Sequence, residues 1–68
     1  MLANELNYFI NNQAELVRKY RGKVLVIKDD HIIAVYDDHI AAYFETIKTH
    51  APGTFAIQPC EPGPEAYT

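Results

Sequence analysis

Two neighbouring segments, residues 24–27 and 32–36, are apolar at almost every position. A strand with one wet face alternates apolar and polar side chains. In both segments the two alternating sets of side chains are apolar, so both faces of the resulting strands need to be covered. This requirement constrains the fold of the chain more strongly than its composition does.

The first twenty residues predict helix. Apolar side chains recur over residues 2–20 at helical spacing, and Gly22 follows at a position where glycine commonly ends a helix. The adjacent Asn11 and Asn12 are poor helix formers. The segment therefore forms either one kinked helix or two short ones.

A hairpin and a second helix follow. Residues 23–28 and 31–36 are rich in β-branched side chains, and the two-residue link between them predicts a tight hairpin. Asp37 or Asp38 is expected to cap a helix. The apolar side chains of that helix have the spacing of a stripe that faces the core, namely Ile40, Tyr43, Phe44 and Ile47.

A short third strand, residues 54–58, completes an α+β fold in the order αββαβ. We expect two layers, with a three-stranded mixed sheet and both helices on one face. Whether the third strand lies beside the first or the second stays open. Residues 1–59 form the single domain, and residues 60–68 form a Pro-rich C-terminal tail.

Helices on one face would leave the other face of the sheet bare. A chain of 68 residues has a small core, and its single cysteine excludes an internal disulfide, so oligomerisation is the expected source of additional stability. We therefore predict a homo-oligomer, a dimer first, or a protein partner on that face. The candidate interface residues are Val24, Leu25, Val26, Ile27, Ile33, Val35 and Tyr67.

Charge and hydropathy indicate a cytoplasmic protein. The N-terminal residues do not resemble a signal peptide, and no apolar run approaches the length of a membrane span. Residues 18–23 carry four cations, which leaves a net charge of −7 for the rest of the chain. Such a cluster binds phosphates in some proteins, but the acidic remainder disfavours nucleic acid as a partner. The cations also suit a helix C-terminus.

Candidate chemistry is sparse. The sequence Asp-Asp-His-Ile occurs at residues 29–32 and again at residues 37–40, but at opposite ends of the second predicted strand, too far apart for one metal site. Cys60 paired with His31 or His50 is a conceivable nucleophile. A structural thiol fits its Pro-rich surroundings better. We expect no catalytic residue, no metal and no cofactor.

Residues 53–63, Gly-Thr-Phe-Ala-Ile-Gln-Pro-Cys-Glu-Pro-Gly, resemble a family of short uncharacterised bacterial proteins. Gly22-Lys23, Tyr36-Asp37 and Tyr67-Thr68 extend the resemblance, which covers about residues 8–68. The chain departs from the family pattern at Ala51-Pro52, and its sequence stops where relatives continue. The resemblance implies a bacterial origin and a fold, but no activity.

These observations predict a non-enzymatic protein–protein interaction module that self-associates through a sheet face or edge. One alternative is an accessory subunit of a separate enzyme. The resemblance suggests a retropepsin-like aspartic protease as that enzyme. Another alternative is a catalytic or ligand site formed between chains from Asp30, His31 and Cys60.

Overall fold

The computed structural model describes residues 2–67, so Met1 and Thr68, the outermost residues of the predicted domain and tail, lie outside the described residues. The elements are α1 (Ala3–Tyr20), β1 (Val24–Lys28), β2 (His31–Tyr36), α2 (His39–Thr46), β3 (Ala56–Pro59) and a short 3-10 helix, η1 (Pro64–Tyr67). The α+β class, the element order and the three-stranded sheet are those predicted from the sequence.

The first helix is continuous. It runs through Asn11 and Asn12 for 18 residues, and the Asn12 side-chain amide donates to the Tyr8 carbonyl oxygen one turn earlier (2.9 Å). Gly22 adopts a φ of +85° just beyond the helix, as expected of a glycine that ends one. The burial of Phe9 and Leu16 explains why two weak helix formers do not break the helix.

Strand β1 is central, and the sheet order is β2-β1-β3. Both pairings are antiparallel, so the prediction of a mixed sheet is wrong. β2 and β3 do run in the same direction, but they flank β1 and never pair. The β1–β2 register shifts between Val26 and Ile27, which face Ala34 and Ile32, so Ile33 is the extra residue of a β-bulge.

The two helices lie on opposite faces of the sheet, which corrects the prediction of two layers. Phe9 and Leu16 of α1 pack with Leu25, Ile27 and the buried Cys60. We call this the α1-side core. Its partly buried neighbours include Ala66 and Tyr67 of η1, so the C-terminal tail folds over the same face.

The α2-side core covers the other face and contains Val24, Val26, Ala42 and Phe55. Because β3 pairs with β1, helix α2, which connects β2 to β3, crosses the sheet on the face that α1 does not occupy. The sequence correctly indicated that both faces need cover. The chain supplies that cover itself, with one helix on each face.

Candidate interaction surface

The predicted interface residues of β1 do not form a surface. Leu25 and Val26 are fully buried, and Val24 and Ile27 are 8% and 1% exposed. They belong to the two cores within one chain, and so they are unavailable to a partner. The bare sheet face predicted from the sequence does not exist, because α2 occupies it.

The other three predicted interface residues lie apart from one another. Ile33 is partly buried against the α2-side core, while Val35 on the edge strand is 38% exposed. Tyr67 is partly buried on the opposite side, where its ring packs edge-on against Phe9 with 6.2 Å between centroids. Tyr67 thus anchors the tail onto the face that α1 covers.

Among the described residues, three of the five exposed large apolar side chains lie on α2. Ile40 is 64% exposed, Phe44 is 57% exposed and Tyr43 is 38% exposed. We call these three residues the α2 outer surface. The Tyr43 ring lies edge-on to Phe44, with centroids 5.6 Å apart, and also approaches Phe55 at 6.4 Å. The prediction that Tyr43 and Phe44 face the core is wrong.

The buried side of α2 consists instead of Ala42 and Thr46, which are 0% and 4% exposed. Small side chains there let the helix approach the sheet closely. The Thr46 hydroxyl oxygen is buried and has no hydrogen-bond partner among the described residues. An orphaned buried hydroxyl costs about 1–3 kcal/mol. The helix therefore buries a polar group and exposes its large apolar ones.

The rest of α2 is conventionally built. Asp38 caps its start, with Oδ2 accepting a hydrogen bond from the Ala41 backbone N–H at 2.9 Å. Glu45 and Lys48 form an exposed ion pair near its end (3.1 Å). The helix is thus anchored at its start, and the exposed apolar side chains do not result from fraying. The spacing of Tyr43 and Phe44 alone predicted the wrong buried face. The small residues Ala42 and Thr46, four positions apart on another face of the helix, were the signal for the correct one.

Both edges of the sheet carry features that discourage strand addition. The bulge at Ile33 interrupts the regular ladder of β2. β3 has only four residues and ends at Pro59, which cannot donate a backbone hydrogen bond. The sheet edges are therefore weaker candidates for association than the α2 outer surface.

The four cations at residues 18–23 are all paired within the chain, with three carboxylates. Arg18 hydrogen-bonds to Glu15, and Lys19 lies 3.7 Å from the other oxygen of the same carboxylate. Arg21 lies 4.0 Å from Glu61, and the Lys23 ammonium contacts Asp37. The Arg18 hydrogen bond holds the pKa of Glu15 below its ordinary value. This pairing weakens the case for phosphate binding.

Cys60 is fully buried in the α1-side core. Burial raises the pKa of its thiol, and the neighbouring Glu61 carboxylate raises that pKa further. A nucleophilic thiolate needs the opposite shift. His50 hydrogen-bonds to the Thr49 hydroxyl, and His31 lies beside Asp30. The contacts found for both histidines are therefore with residues other than Cys60. A buried Cys60 also cannot contribute to a site between chains.

Metal-binding groups and membrane helices were sought in the described part of the chain. Among residues 2–67, no three His, Cys, Asp or Glu side chains are grouped so that they could hold a metal ion. Neither helix in that range has the length and apolar character needed to cross a membrane. Comparisons with models of protein families, with curated proteins and with solved structures gave no match.

Proposed function

We propose that this chain is a non-enzymatic protein–protein interaction module of the bacterial cytoplasm that self-associates through the α2 outer surface. The observation that carries the proposal is the inverted burial of α2, with Thr46 inside and Ile40 and Phe44 outside. Such an arrangement is unfavourable in an isolated chain. It becomes favourable once a second molecule covers the exposed side chains.

A second copy fits this surface because the surface is self-complementary. Two α2 helices related by a two-fold axis perpendicular to them run antiparallel, which places Ile40 of one copy beside Phe44 of the other. The same arrangement brings Asp37 and Asp38, at the start of one helix, towards Lys48 at the end of the other. A parallel arrangement would instead bring like charges together.

The area of the surface predicts a weak dimer. From their exposed fractions, the three side chains of the α2 outer surface offer about 300 Å² of accessible area. A standard interface buries about 800 Å² per partner. Burial on both copies is worth about 15 kcal/mol at 25 cal/mol per Å², and association costs about 4–15 kcal/mol. The difference is about 0–11 kcal/mol, and its middle value of about 5.5 kcal/mol corresponds to a dissociation constant of roughly 0.1 mM, so we expect a dimer in the micromolar to millimolar range.

Sedimentation equilibrium over a wide range of concentrations tests the proposal. The mass of the wild-type chain should rise from 7.7 kDa towards twice that value. Phe44→Lys and Ile40→Lys should stay monomeric while keeping the wild-type circular dichroism spectrum. Ile10→Lys is the control, because Ile10 is an exposed apolar side chain (38%) that lies on α1, and this variant should still associate.

A wild-type chain that stays monomeric at every concentration would contradict self-association. The accessory-subunit alternative, for which a protease-like enzyme is one candidate partner, would then be favoured. That alternative predicts that the chain binds a larger protein and that Phe44→Lys abolishes the binding. If Ile10→Lys and Phe44→Lys weaken the dimer equally, the surface has been misassigned.

A further inference from the structure

A polar cleft lies between the N-terminal half of α1 and the β1–β2 turn. It has a volume of about 490 Å³, which falls within the range of small-molecule sites. Its walls are formed by the turn at residues 29–30, Tyr8 and four asparagines, Asn4, Asn7, Asn11 and Asn12. We call it the asparagine cleft. All of the asparagines in the sequence line it.

These asparagines do not stabilise the fold. Asparagine is a poor residue for a helix interior, and each costs roughly 0.5 kcal/mol relative to alanine. Among the four asparagines, only Asn12 forms a side-chain hydrogen bond within the described part of the chain, to the Tyr8 carbonyl oxygen. The amides of Asn4, Asn7 and Asn11 have no such partner there. Residues that destabilise a small domain and gather in one concavity are expected at functional positions.

The wall opposite the helix is held in place. Glu5 is only 5% exposed, and its Oε2 accepts a hydrogen bond from the Asp29 backbone N–H at 2.6 Å. Asp29 adopts a φ of +57°, a left-handed conformation that this contact helps to fix. Tyr8 packs in part against the α1-side core. The cleft therefore exists before a ligand arrives, and binding would not have to order its walls.

The chemistry of the walls selects the ligand class. Each asparagine amide offers both a donor and an acceptor, and the carboxylates of Asp29 and Asp30 offer acceptors. Among residues 2–67, no cation lines the cleft, so an anion would be repelled by the turn carboxylates. An ammonium or guanidinium group supplies only donors and would leave the amide NH₂ groups unmatched. A hydroxyl group both donates and accepts, and the Tyr8 ring offers an apolar surface for C–H groups.

We propose that the asparagine cleft binds a neutral polyhydroxylated ligand, namely a saccharide. The site is distinct from the α2 outer surface, because α1 and α2 cover opposite faces of the sheet. The ligand exchanges hydrogen bonds with the amides of Asn7 and Asn11 and donates to the carboxylates of the turn. An open, largely hydrated cleft predicts modest affinity, with half-saturation at about 0.1–10 mM.

The test is titration of ¹⁵N-labelled protein with D-glucose, D-galactose and N-acetyl-D-glucosamine, followed through the asparagine side-chain NH₂ signals. At least one sugar should produce saturable shifts confined to the cleft. In Asn7→Ala/Asn11→Ala, binding should weaken about tenfold or more. The same variant should melt about 4–8 °C higher, because alanine favours helix. If the double variant binds the sugar more weakly and also melts at a higher temperature, the loss of binding cannot be attributed to unfolding.

Lys19→Ala, an exposed substitution on the same helix but outside the cleft, should bind as the wild type does. Phe44→Lys should also retain binding, which separates this proposal from self-association. The absence of saturable shifts with all three sugars would overturn the proposal. So would equal binding by the double alanine variant, or saturation by L-arginine methyl ester in place of the sugars.

Discussion

Replacing Thr46 by valine should stabilise the protein. The Thr46 hydroxyl is buried with no hydrogen-bond partner in residues 2–67, and valine has the same shape with a methyl group in place of the hydroxyl. Leaving such a group unpaired costs about 1–3 kcal/mol, while the helix propensities of the two residues are nearly equal. We expect Thr46→Val to raise the free energy of unfolding by about 1–2 kcal/mol. For a domain expected to have only about 3–5 kcal/mol in total, this is a large gain.

Urea denaturation followed by circular dichroism measures this change, and each 1 kcal/mol should raise Tm by about 4–8 °C. Thr46→Ser is the matched control because it keeps the hydroxyl and loses the buried methyl group. It should lower stability by about 1 kcal/mol. If Thr46→Val were no more stable than the wild type, the hydroxyl would have a partner, and the inverted burial of α2 would lose its main support.

Three further predictions concern the cores and the end of α1. Leu25→Ala should lower the free energy of unfolding by about 2–5 kcal/mol and leave much of the chain unfolded by circular dichroism. Val35→Ala, at the exposed edge, should change stability little. Equal effects would contradict the placement of β1 in the centre of the sheet. Cys60 is buried and the pKa of its thiol is raised, so less thiolate is present at any given pH. Ellman's reagent at pH 8 should therefore react slowly until denaturant is added. Fast reaction with the native protein would refute the buried placement. Gly22→Ala should lower the free energy of unfolding by about 1–2 kcal/mol, because φ is +85° at this position. Gly22→Asn should lower it less. If Gly22→Ala left stability unchanged, the turn would have another conformation.

The sequence was most informative where local patterns decide the structure. The hairpin link at residues 29–30, the Asp38 cap and the glycine at position 22 all lie where turn and capping chemistry put them. The apolar character of both faces of β1 also correctly indicated that the strand is buried on both sides. These features depend on a few neighbouring residues, so no long-range information was needed.

Features set by long-range packing were not predictable. Pairing of β3 with β1 sends α2 to the face opposite α1, and no local pattern encodes that choice. The apolar stripe that begins at Ile40 has the spacing of a core-facing helix face. In the structure, the smaller Ala42 and Thr46 are the side chains of α2 that are buried. The asparagine cleft was also missed, because residues 29–30 approach α1 only in the folded chain.

Intermolecular NOEs in a mixed sample test the central claim most directly. Protein with ¹³C-labelled isoleucine methyl groups is combined with unlabelled protein at about 1 mM, within the concentration range expected for the dimer. We predict NOEs from the Ile40 methyl group of one copy to the Phe44 ring of the other. Their absence at about 1 mM, with a mass that also remains 7.7 kDa at that concentration, or NOEs from Ile33 on β2 in their place, would contradict the account.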